Sequence, residues 1–170
     1  MTLKDDLLSD DISVVLNGLR DLDVRLRAKE DMSDLLDILL KLSSSDLHEA
    51  VEKVTWCAAK MGQNKINDDR IVTLLVGMAE NNDPQVRENV AWGLGETAGT
   101  VAMSDVAMST ISLLLDDGES SVRGTAAWAA GRFHHKCGHM TADIRKKLNV
   151  LVNDTSEFVR SAAVSALERS

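Results

Sequence analysis

The chain has 170 residues, 44% of them apolar, 27% charged and 3% aromatic, with one proline and a formal net charge of −8. No apolar run approaches the length of a bilayer span, and the deficit of Lys and Arg argues against sequence-independent binding to nucleic-acid phosphates. The amino-terminal MTLKDDLLSDD lacks the basic start and apolar run of a secretion signal, and two cysteines make no disulfide framework. The expectation is a single cytoplasmic domain that meets neither membrane nor nucleic acid and needs no cofactor.

Taken in chain order, MTLKDDLLS reads as a short helix, followed by a helix over 11–20. RDLDVRLRAKEDMS follows as an irregular or helical connector. After it, apolar residues recur three and four apart, the helical period, in alternating segments over 31–42, 46–61, 68–80, 84–98, 104–116, 120–134, 142–152 and 156–169. The turn-forming clusters SSSD, NNDP, DDGES and NDTS each end a first segment and open a second.

The segments repeat. Val14, Ala50, Val86, Val122 and Val159 are spaced by 36, 36, 36 and 37 residues, and the next position reads Val15, Val51, Arg87, Arg123 and Arg160. Trp56, Trp92 and Trp128 keep the same interval, with Arg20 and Ser165 at the outer equivalents. Leu35, Ile71, Ala107 and Ile144 form a further series, as do Leu39, Leu75, Ile111 and Leu148, and Leu42, Met78, Leu114 and Leu151. A unit this short cannot bury its own apolar face, so units must stack. Their approximate bounds are 1–30, 31–62, 68–99, 104–137 and 141–170, the first incomplete.

NDPQVRENVAWGLGETAG and NDTSEFVRSAAVSAL resemble HEAT repeats, especially the short HEAT-like type also found in phycobilisome lyases. The resemblance implies an all-α, right-handed α-solenoid of about five helical hairpins, whose second helices line the concave face. It also implies that the Val-Arg arginine braces neighbouring turns with an acidic residue. Asp83, Asp117 and Asp154 match that acid, and Arg87, Arg123 and Arg160 match the base. Val15 and Val51 break the pattern, so the bracing should be absent from the first two units.

On a helical wheel Val86, Val90 and Leu94 form the buried stripe. Trp92 falls opposite, with Gln85, Glu88 and Glu96 near it; Trp56 and Trp128 behave alike. Stacked second helices at ~8–10 Å spacing would give an indole row of that pitch. The row binds a partner, or each indole lies across the adjacent helix and packs the stack, or the row serves self-association; an amphipathic ring is able to do the first two at once. The binding set is Trp56, Trp92 and Trp128 with Lys60, Glu88, Glu96 and Arg132. The expected function is a non-enzymatic scaffold or adaptor for a protein or peptide. The alternative is a tetrapyrrole-binding lyase subunit or chaperone, although Lys60 and Arg132 are the main cations available to its propionates.

FHHKCGHM gathers His134, His135, Cys137 and His139 as metal-ligand types. The segment reads instead as a helix end with His complementing the dipole and Gly138 as the stop. His48-Glu49 matches a pair repeated in HEAT-repeat metal hydroxylases of the deoxyhypusine type, but its equivalents here are Pro84-Gln85 and Ser120-Ser121. Cys57 falls beside the buried stripe and is too far from Cys137 for a bridge. Gly93 and Gly95 permit close helix approach, and no catalytic constellation emerges.

Overall fold

The computed structural model describes residues 2–168, all helix and connecting turns. The helices are α1 (Leu3–Leu7), α2 (Ile12–Arg27), α3 (Leu36–Leu42), α4 (His48–Gln63), α5 (Asp69–Gly77), α6 (Pro84–Thr97), α7 (Ser104–Leu114), α8 (Ser120–Cys137), α9 (Ala142–Leu151) and α10 (Glu157–Glu168). A 3-10 turn over Ser33–Leu35 leads into α3. Residue 169, the predicted end of the last helix, lies outside the described residues. None of the described helices is long and apolar enough to cross a membrane.

The predicted connector after residue 20 is not a separate element: α2 continues to Arg27. Leu22 and Leu26 extend the buried stripe of Val15 and Leu19 by two turns. On the other side, Arg25 and Arg27 each reach back four residues, to Asp21 and Asp23, at 2.9 Å. Such pairs support the exposed side of a helix. The eighth helix likewise runs one turn beyond its expected end, to Cys137. Gly138 then stops it in the left-handed region, φ 64°, where glycine has no Cβ penalty.

Helix pairs stack in chain order, with α4 against α2, α6 against α4, α8 against α6 and α10 against α8. The first helices form the other layer. Their aligned residues Ile71, Leu75, Ile111, Ile144 and Leu148 are fully buried. Val86, Val90 and Leu94 of α6 meet them from the opposite side.

Arginines cross-link successive turns. Arg87 donates through Nε and Nη2 to both carboxylate oxygens of Asp117, at 2.7 and 2.9 Å, and through Nη1 to the Asn81 carbonyl at 2.8 Å. Arg123 repeats the arrangement with Asp154 at 2.9 and 3.0 Å and with the Asp117 carbonyl at 2.8 Å. Arg160 holds the Asp154 carbonyl at 2.8 Å. Arg87 and Arg123 thus each tie their own turn to the acid of the next unit. Asp117 and Asp154 also cap their own turns by accepting from Glu119 N and Ser156 N. Asp83 accepts from Gln85 N at 2.9 Å. Where Val51 supplies no guanidinium, His48 Nε2 stands 3.0 Å from Asp83.

Arg123 beside it, then the Ser156 amide, hold the Asp154 carboxyl below its ordinary range. Burial pushes the Asp117 carboxyl up, but Arg87 and the Glu119 amide outweigh it, and the net direction is again down. A carboxyl with a depressed folded pKa contributes stability above its unfolded value, ~3.9, and loses it as pH falls through the folded value. Acid unfolding followed by circular dichroism should therefore be less steep below pH ~4 for Asp154→Asn than for the parent chain. At neutral pH Arg123→Ala should destabilise by about 3 kcal/mol, because it strands a nearly buried carboxylate. Chemical denaturation checks that value.

Candidate functional site: the face of the second helices

The second helices approach through small residues. A Cβ on Gly93 would lie 2.8 Å from Ala59 Cβ, one on Gly95 would lie 3.0 Å from Ala129 Cα, and one on Gly131 would lie 3.0 Å from Ala166 Cα. No larger side chain fits in these seams, so bulky groups on the second helices are displaced to the rim.

The tryptophans occupy that rim, half-buried. Trp56 donates from Nε1 to Asp23 Oδ1 at 2.9 Å, which ties it to α2. Trp92 leans towards α4 and stacks on Trp56, with ring centroids 5.0 Å apart and planes 24° apart. Trp128 lies over α6, its Cζ3 filling the space a Gly95 side chain would need. The evenly pitched row expected from helix spacing is therefore corrected: each indole leans across a seam, and Trp56 and Trp92 close into a pair. Packing and exposure coexist in the same rings.

Cations lie on these faces. Lys60 Nζ is 5.9 Å from the centroids of both Trp56 and Trp92. The Arg132 guanidinium carbon is 5.4 Å from the Trp128 ring. Both separations suit a cation–π contact. Glu96 does not flank the row in solvent as expected; it is only 8% exposed. Its Oε2 accepts from Arg132 Nη2 at 3.0 Å and lies 3.5 Å from Lys65 Nζ, so the α6–α8 crossing converts it into a clasp. Glu52 and Glu88 are half-buried, each one turn before a tryptophan. Neither has an ion-pair partner among the described residues.

Beyond Trp128 the face opens into an apolar groove of about 390 Å³ between α6, α8 and α10. Trp92, Trp128 and Phe158 wall it, Thr125 and Gly131 lie on α8, and Ser161, Ala162 and Ser165 line it from α10. Phe158 is 51% exposed, and its ring lies over Gly124, where a Cβ would overlap it. Sequence reasoning missed this residue. The signal was present, because Glu49, Gln85 and Ser121 are polar at the aligned positions.

The His and Cys cluster does not assemble. His134 is half-buried, while His135, Cys137 and His139 are exposed. Among the described residues no three His, Cys, Asp or Glu side chains are grouped to hold a metal ion. Cys57 is fully buried, and burial pushes its thiol up to about 12, the opposite of an activated nucleophile. His48 stands against Asp83 at the turn.

No family model matches the sequence, and no curated protein matches it. Solved structures do. A designed armadillo repeat protein superposes with a TM-score of 0.76 at 19% identity, over 98% of this chain and 80% of its own. Another, in complex with the peptide (KR)4, gives 0.71 at 16% identity with the same coverage. The complex of CpcE and CpcF of phycocyanin lyase from Nostoc sp. PCC7120 gives 0.74 at 19% identity, over 99% of this chain and 65% of the other. The fold is that of the armadillo and HEAT repeats. Within this HEAT-like stack, the small-residue seams decide where the indoles sit.

Gly95→Ala should accordingly be destabilising by about 1–3 kcal/mol despite the better helix propensity of alanine, since it displaces Trp128 and crowds Ala129. Gly77→Ala is the control: its Cβ would meet nothing within 4 Å, and it should leave stability unchanged or raise it by up to ~1 kcal/mol. Thermal melts with tryptophan emission distinguish the two.

Proposed function

We propose that the protein is a non-enzymatic scaffold or adaptor that holds a peptide, or a peptide segment of a protein, against its second-helix face. The observation that carries this reading is the apolar groove of about 390 Å³ beside half-buried Trp92 and Trp128. Aromatic hollows of this kind concentrate binding energy, because they offer large apolar area at little conformational cost. Trp56, Trp92 and Trp128 are the anchors. Lys60, Glu88 and Arg132 set specificity around them, and Glu96 acts at one remove by fixing Arg132.

The unpaired carboxylates of Glu52 and Glu88 and the net charge of −8 favour a partner carrying Lys or Arg, since complementary charge speeds and orients encounter. The designed armadillo protein in complex with (KR)4 is an example of a stack of this shape with a basic peptide. The tetrapyrrole alternative is supported by the likeness to the phycocyanin lyase complex. It is weakened by the commitments of its cations: Lys60 and Arg132 already lie on indole faces, and Arg132 is held by Glu96.

Selection of displayed peptides against the intact chain, followed by affinity measurement, tests the proposal. Trp92→Ala should weaken the selected peptides about tenfold or more, the effect of losing an aromatic anchor. Replacing Glu52 and Glu88 together by Lys should weaken basic peptides severalfold at low salt and less at high salt. Undiminished binding to both variants would place the partner elsewhere. Added bilin that changes absorbance only with the wild-type face would instead favour the tetrapyrrole.

A further inference from the structure

Resting on the peptide-binding reading above, a more specific occupant follows from the repeat register. Each tryptophan of the face reaches back over the preceding second helix. Trp56 is tied to Asp23 of α2, Trp92 stacks on Trp56 of α4, and Trp128 covers Gly95 of α6. The seat of Trp128 is therefore a glycine. One repeat later the same position is Gly131, again glycine, and the residue due to cover it is Ser165. Gly131 on α8 and Ser165 on α10 both line the apolar groove.

We infer that this groove is an indole seat left vacant by Ser165, and that it takes one aromatic side chain of a bound peptide whose neighbouring residues are basic. Three features agree on that occupant. The walls are aromatic, Trp92, Trp128 and Phe158, and suit stacked or edge-on ring contacts. The polar groups on the α10 side are the hydroxyls of Ser161 and Ser165, able to accept from an indole N–H as Asp23 does for Trp56. Glu88, one helical turn before the groove residue Trp92 and without an ion-pair partner among the described residues, puts negative charge on the α6 side of the same face. Lysine or arginine next to the inserted ring answers that charge.

Two capped peptides, Lys-Lys-Trp-Lys-Lys and Lys-Lys-Ala-Lys-Lys, titrated into the full chain with the indole N–H resonances assigned, test the seat. The tryptophan peptide should bind at least about fivefold more tightly, a difference of ~1 kcal/mol. It should shift Trp92 and Trp128, and give nuclear Overhauser contacts from its indole to Phe158. Ser165→Trp, which fills the seat from within, should erase the preference without lowering Tm, whereas Ser165→Ala should keep it. Glu88→Gln should weaken both peptides by the same factor, about two.

Equal affinity for the two peptides overturns the seat while leaving the face as a charged docking surface. A preference that survives Ser165→Trp also overturns it. If Ser165→Trp does not fold, the contacts between peptide indole and Phe158 decide alone. Dimerisation of the free chain that Phe158→Ser abolishes would overturn the inference in favour of a second copy. Silence of all three protein indoles with both peptides overturns it as well, and the displayed-peptide selection then judges the face independently.

Discussion

The distance between second helices governs the molecule. Gly93 against Ala59, Gly95 against Ala129 and Gly131 against Ala166 let backbones approach until no side chain larger than a methyl group fits between them. Small residues forgo much of the apolar area that leucines would bury. The compensation lies in the other layer, where isoleucines and leucines of the first helices fill the core completely. One consequence is steric. An indole carried by such a helix has no interior place, so it turns to the rim and leans on the preceding second helix: Trp128 on Gly95, Trp92 on Trp56, and Trp56 towards Asp23. Stability and surface chemistry thus share one cause.

Charge organises the turns in the same economical way. An aspartate that caps its own helix still has carboxylate lone pairs to spare, and the arginine of the preceding unit uses them. The guanidinium's remaining hydrogens satisfy carbonyls of its own turn. Such a module is complete only between like units. Arg160, in the last of the units, holds carbonyls of its own turn, and Asp83, at the first arginine-bearing unit, faces His48 in place of a guanidinium.

Much of this was legible in the residues. The interval of 36 placed the buried series, the turn acids and the tryptophans, and the wheel placed Val86, Val90 and Leu94 inside. The length of α2 was readable too, from Asp21–Arg25 and Asp23–Arg27 at i,i+4 spacing, although the aligned position carries Val14-Val15 in place of the Val-Arg signature. Glu96 was not legible. A wheel treats a helix alone, and the burial of this carboxylate comes from Arg132 and Lys65 reaching it from other helices. The lean of the indoles was hidden for the same reason, since it depends on what the neighbouring helix offers: Asp23 to Trp56, the Trp56 ring to Trp92, and Gly95 to Trp128. Phe158 was visible as a break in an otherwise polar column, yet its meaning needed the hollow beside it.

Bracing is distributed unevenly along the stack. From the third hairpin onward, two-pronged guanidinium–carboxylate clasps lock each turn to the next. Earlier joints rely on single-donor links, such as Trp56 to Asp23 and Asn64 to the Leu26 carbonyl, and on the long Arg20–Glu49 pair at 3.7 Å. Opening a joint among the amino-terminal hairpins therefore breaks single-donor links, whereas opening one in the carboxy-terminal half breaks a two-pronged clasp, so the joints are graded in what holds them.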